Sequence, residues 1–206
     1  PPISLRQLLS HSSGLGYRFL EADADGPYAR AGVSDGMDAN PLSLADNVQR
    51  IAQVPLLFAP GSQWLYSLGV DVAGAVAEAA TGETLQALFA RLLAAPLGLR
   101  DTAFATRDAA RLATPYVSDA PQPHRLREGE VVAPFEGTVG IDYSLARATD
   151  ASRFASAGAG LVGTADEVMA VLEALRDVQA SGLLPPALVA QMGTPQVREQ
   201  GPPEPA

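Results

Sequence analysis

Tyr66 stands in Phe58-Ala59-Pro60-Gly61-Ser62-Gln63-Trp64-Leu65-Tyr66-Ser67-Leu68-Gly69-Val70-Asp71-Val72, where a proline-glycine turn leads through two aromatic residues into a helix start. A phenol held between a rigid turn and a helix N-terminus can keep one position in a cleft, as proton transfer requires. The alternative for the same residue is a core tyrosine packed against Trp64. His11 could be combined on paper with many serines and aspartates into a Ser-His-Asp set. No Gly-x-Ser-x-Gly elbow accompanies it, and a structural hydrogen bond at a helix end is the better reading. His124, in Pro121-Gln122-Pro123-His124-Arg125, reads as a solvated loop residue. Trp64 could stack on a substrate or simply pack a cleft wall. All fourteen basic residues are arginine, so no Ser-x-x-Lys motif occurs anywhere in the chain.

The elements that must position these groups read as mainly helical. Ser4 can cap a short helix carrying Leu5, Leu8 and Leu9, with Gly14 placed to end it. Ser43 can cap a second helix with Leu44, Val48 and Ile51 near one face. The Ala- and Val-rich run from Gly69 to Thr81 has no clean polar side and predicts a buried helix stopped at Gly82. Thr84 starts another, running to Pro96. Thr164 and Glu167 have capping-box spacing, and Pro186 opens a last short helix through Met192. Glycines 158, 160 and 163 lack phosphate-loop spacing and suit a tight turn before Thr164. Residues 21–40 read as a long surface loop. Residues 114–142 read as a β-hairpin or extended excursion, with Tyr116-Val117 and Val131-Val132 as strands about Arg127-Glu128-Gly129-Glu130. The proline-rich end, 201–206, predicts a frayed terminus.

Three blocks resemble, in order, motifs of the β-lactamase-like serine hydrolases, a superfamily that includes class C β-lactamases and penicillin-binding proteins. Leu8-Leu9-Ser10-His11-Ser12-Ser13-Gly14-Leu15 is similar to its Leu-Leu-x-His-x-Ser-Gly-Leu helix. Phe58 to Gly82 is similar to its tyrosine motif, and Ser156 to Asp166 to its Gly-Leu-x-Ser-Thr-Ala-x-Asp turn. Pro96-Leu97-Gly98-Leu99 with Asp101-Thr102 matches a further recurring stretch. The resemblance covers most of the chain. It implies that Tyr66 is a general base or proton relay for a serine nucleophile, with nearby positive charge favouring its phenolate. Trp64 and Leu68 take substrate-side positions. Relatives that bind penicillins commonly carry asparagine where Leu68 stands, and leucine cannot bind an acylamino group. The Tyr-Ser-Leu form therefore resembles the carboxylesterases of this fold more closely.

The nucleophile and its lysine would then lie outside this chain, as would most of the large antiparallel sheet. Residues 1–206 are expected to be an internal, mostly helical part of a longer hydrolase, inactive alone. Its partners would be a small ester or amide substrate and the remainder of its own polypeptide. No cofactor is implied. The alternative is a non-catalytic helical interaction module or a degenerate relative. Composition agrees with a globular chain: 206 residues, 47% hydrophobic and 18% charged. The absence of cysteine excludes disulfides and thiolate metal sites, and two histidines leave few ligands for zinc. A formal charge of −9 without a basic stripe argues against a nucleic-acid partner. No apolar run is long enough to span a bilayer, and no signal-peptide pattern opens the chain. Cytoplasmic and periplasmic or secreted locations both remain open.

Overall fold

The computed structural model describes residues 2–197, so the expectation for 201–206 lies outside the described residues. Nine helices are described: α1 (Leu5–Leu9), α2 (Pro27–Arg30), α3 (Leu44–Ile51), α4 (Gly69–Thr81), α5 (Leu85–Phe89), α6 (Ala95–Leu97), α7 (Ala165–Arg176), α8 (Val178–Ser181) and α9 (Pro186–Met192). A π-helical turn, Ala90–Ala94, joins α5 to α6, so this helical stretch runs past Pro96. Four short strands, β1 (Tyr116–Val117), β2 (His124–Arg125), β3 (Glu130–Val132) and β4 (Ile141–Tyr143), make two separate antiparallel pairs. The chain is mainly helical, and no large sheet occurs among the described residues.

Local chemistry explains the helix starts. The Ser4 hydroxyl accepts from the Gln7 amide and the Gln7 side chain answers to Ser4, closing a capping box. Ser43 and Thr84 cap α3 and α5 through their hydroxyls, which accept from the amides of Asp46 and Ala87. Gly82 ends α4 in the left-handed conformation. Thr164 caps α7, but Glu167 does not close a box. Its carboxylate instead accepts from the amides of Arg100 (2.5 Å) and Asp101 (2.9 Å) and from the Thr102 hydroxyl at 2.5 Å. A distant loop is thereby tied to the first turn of α7.

Three expectations change. Helix α4 buries only Gly69, Asp71 and Gly74, while Val76 is exposed; small residues here permit close packing along one stripe rather than full burial. Residues 21–40 are not a surface loop: Tyr28, Val33, Ser34, Asp35 and Asp38 are buried. Their polar groups are satisfied inside, as where Ser34 and Asn47 exchange backbone–side-chain hydrogen bonds of 2.8 and 2.9 Å. In 114–142 the two expected strands do not pair with each other. Tyr116-Val117 pairs with His124-Arg125, and Val131-Val132 pairs with Ile141-Asp142.

The core gathers Leu8 of α1, Tyr28 of α2, Ile51 of α3, Leu68 before α4, and Leu15 and Tyr17 from the loop after α1. Helices α1 and α4 pack directly on each other. Segment 57–68 is zipped beside 11–16 by main-chain hydrogen bonds: Leu57 to Gly14 (2.8 Å), Gly61 to Ser12 (2.7 Å), Leu65 to His11 (2.9 Å) and Leu68 to Gly16 (3.1 Å). This ladder carries Tyr66.

Candidate functional site

Tyr66 lies near the end of the zipped segment, just before the first turn of α4, with 43% of its surface exposed. Its ring lies 4.8 Å from the His11 ring and 5.0 Å from the Tyr17 ring between centroids. Trp64, also exposed, stands edge-on to His11 at 6.1 Å, and Tyr17 stacks on Phe19 at 4.6 Å. The result is an aromatic row, open at Trp64 and Tyr66 and buried at Tyr17 and Phe19. Aromatic contacts at these separations favour fixed ring positions.

His11 has φ of 55°, a left-handed conformation uncommon for a residue with a Cβ. Its Nδ1 accepts from the Ser67 amide at 3.2 Å, which leaves the proton of a neutral ring on Nε2. Burial pushes the imidazole below its ordinary value. The Ser67 hydroxyl is 3.3 Å from the same Nδ1, a serine–histidine pair in distance alone. Ser67 is fully buried and offers no surface to a substrate. His11 thus supports the turn that carries Tyr66, in keeping with a structural role. His124 is far from solvated isolation: Nε2 lies 2.6 Å from Glu130 and Nδ1 3.5 Å from Asp119.

Leu68 departs from its expected substrate-side position. Its side chain is fully buried in the core, because the helix start turns it inward, and none of it faces the opening.

Two residues that the motif reading passed over lie beneath Tyr66. Tyr17 is buried, and burial first, then the neighbouring Asp71 and Tyr66, raise it far above the ordinary phenol value. Asp71, in the first turn of α4, is buried too; its Oδ1 accepts from the Gly158 amide at 3.4 Å while Oδ2 has no hydrogen-bond partner. The available signals were Tyr17 following Ser13-Gly14-Leu15 closely, and an acidic residue inside an otherwise apolar helical run. A second buried carboxylate, Asp35, accepts from the amides of Arg18 (2.9 Å) and Phe19 (3.2 Å) and so fixes the segment bearing Tyr17.

The family model described as Beta-lactamase matches residues 1–205. The chain belongs to the beta-lactamase family. Within it, the chain is 43% identical over 189 residues to esterase EstB of Burkholderia gladioli, covering 91% of this chain and 47% of that protein. It is 30% identical to acyltransferase calJ of Penicillium decumbens, covering 98% of this chain and 44% of that one. Among solved structures, EstCE1, a hydrolase with promiscuous acyltransferase activity, superposes with a TM-score of 0.87 at 45% identity, covering 93% of this chain and 50% of that one. The chain spans about half the length of these relatives. A mainly helical piece of the beta-lactamase-like fold agrees with the architecture above.

Proposed function

We propose that the full-length polypeptide carrying this chain is an esterase-like serine acyl hydrolase. Tyr66 is its general base or proton relay, and the Ser-x-x-Lys nucleophile lies outside residues 1–206. The observation that carries this reading is the half-exposed Tyr66 phenol, fixed between His11 and Tyr17, in a chain 43% identical to an esterase. Residues 1–206 contain no lysine, so in this reading the Ser-x-x-Lys pair belongs to the rest of the polypeptide. Tyr66 takes the serine proton as the hydroxyl attacks an acyl carbonyl, then returns it to the departing alcohol. Water repeats the exchange to release the acid. Positive charge from the lysine favours the phenolate that starts the cycle.

The substrate is a small ester or amide, with Trp64 as an exposed apolar surface for it. The 43% identity to an esterase favours ester turnover. A second reading changes only the acceptor: an alcohol replaces water and the product is a new ester. The similarity to calJ and EstCE1 favours it as an accompanying activity. The rest of the polypeptide supplies the sheet that completes the cleft, and residues 1–206 form the helical part.

Labelling of the full-length polypeptide with a fluorophosphonate, followed by peptide mapping, tests this assignment. The modified serine is expected outside residues 1–206 within a Ser-x-x-Lys sequence. Modification at a serine inside these residues, Ser67 included, would overturn it.

A further inference from the structure

His11 supports the turn below Tyr66 with one ring nitrogen and leaves the other unused. Its Nδ1 accepts from the amide of the fully buried Ser67 at 3.2 Å. Nε2, on the far side of the imidazole, has no hydrogen-bond partner among the described residues. It is not sealed in either: the buried side-chain polar atoms left unpartnered there are Arg18 Nε, Asp71 Oδ2 and Arg147 Nη2. The Nε2–H donor therefore reaches the surface, and its ring neighbours mark which surface. The exposed Trp64 and Tyr66 rings lie 6.1 and 4.8 Å from the imidazole between centroids. The Leu65 amide, between those two residues in the chain, donates to the His11 carbonyl at 2.9 Å and holds the histidine opposite the pair.

We infer that His11 binds substrate as well as supporting the turn: its Nε2–H donates to a second oxygen in the alcohol part of the ester, and Trp64 takes the apolar end beyond. This rests on the reading of Tyr66 as the proton relay. A relay returns its proton to the departing alcohol, so the alcohol oxygen stands at the phenol and the rest of the alcohol extends over the neighbouring groups. Beside the phenol those groups are a donor and an indole. They suit an alcohol that carries an ether, carbonyl or hydroxyl oxygen a few bonds from the ester and apolar carbon next to it. A purely hydrocarbon alcohol would displace water from the donor and leave it unpaired. A neutral imidazole, which burial favours, has one acceptor for the Ser67 amide and one donor for such an oxygen.

The test uses the full-length enzyme and two matched probes, 2-ethoxyethyl butyrate and pentyl butyrate, which differ by one ether oxygen in place of a methylene. Hydrolysis is followed by pH-stat titration, and the ratio of the two kcat/KM values is read. In His11→Asn the side-chain oxygen takes the Nδ1 place, asparagine tolerates the φ of 55°, and no donor reaches the Nε2 place. In His11→Gln the amide nitrogen reaches the Nε2 place, and the Ser67 amide loses its acceptor. The ether-over-alkyl ratio should fall roughly 3–10-fold in His11→Asn, the worth of one hydrogen bond between neutral groups. It should persist in His11→Gln, whose melting temperature should drop instead. An unchanged ratio in His11→Asn, as when the rest of the polypeptide covers Nε2, overturns the inference, and so does an equal fall in both variants. Failure of the Tyr66 reading shows separately, as intact turnover of both esters by Tyr66→Phe.

Discussion

At the scale of single residues, the candidate site consists of side chains with unequal burial in one aromatic row. Tyr66 is open, His11 supports its turn, and Tyr17 lies beneath it. His11→Ala removes the acceptor of the Ser67 amide and should destabilise the protein by about 1–2 kcal/mol, measured by chemical denaturation. It should lower kcat by less than about 10-fold, because His11 moves no proton in this account; a loss approaching the 10²–10⁴ range would make it a base. Asp35 gives a pH-dependent prediction. Burial pushes it up to about 7, against the pull of the Arg18 amide and guanidinium. A carboxyl group raised in the folded state binds more protons there than in the unfolded chain. Its contribution is fully present below about 4 and falls as pH rises toward about 7. Comparing denaturation of the protein with that of Asp35→Asn at pH 5 and pH 7.5 should show this downward slope only where Asp35 is present. Tyr66 was legible in the sequence because a local turn-aromatic-helix pattern carries it. Tyr17 and Asp71 were not, because their partnership is formed across the fold by residues far apart in the chain.

At the scale of elements, the capping chemistry was legible because each cap depends on residues within one turn. Ser4, Ser43, Thr84, Thr164 and Gly82 all stand where their local sequence predicts. What local pattern could not supply was partner choice. The strands of 114–142 pair across their own turns, and Glu167 reaches a loop 65 residues away. Residues 21–40 looked polar enough for a surface loop because nothing in their composition shows that Asn47 and the 18–19 amides satisfy them inside. Glu167, held at about 2 by Thr102 and the 100–102 backbone, should let this latch weaken as pH falls from about 4.5 toward 2. Glu167→Gln should speed hydrogen exchange at the Arg100 and Asp101 amides; unchanged protection would show that the latch contributes nothing. Gly14 marks the ladder that carries Tyr66. It has φ of 88°, and a Cβ there would stand 2.3 Å from the Phe58 carbonyl oxygen. Gly14→Ala should therefore cost about 2–4 kcal/mol by combining left-handed strain with a backbone clash. It should also lower turnover by displacing segment 57–68.

At the scale of the molecule, the described surface carries exposed apolar side chains along several helices. Leu5 and Leu9 of α1, Val168, Met169 and Leu172 of α7, and Leu188 and Met192 of α9 are all exposed. Arg6 hydrogen-bonds Gln191, so α1 and α9 are neighbours, and much of this surface is shared between the ends of the chain. Exposed apolar surface of this kind fits a helical part that packs on further polypeptide. No described helix is long and apolar enough to cross a membrane. Residues 1–206 expressed alone should therefore self-associate at micromolar concentration, seen by analytical ultracentrifugation, and should hydrolyse no ester; a monomeric, active chain would contradict the division of labour proposed here. The account turns on Tyr66. The most direct measurement is kcat for p-nitrophenyl butyrate hydrolysis by the full-length protein and its Tyr66→Phe variant under identical conditions. A fall of roughly 10²–10⁴-fold is predicted, and unchanged turnover would remove Tyr66 from the mechanism.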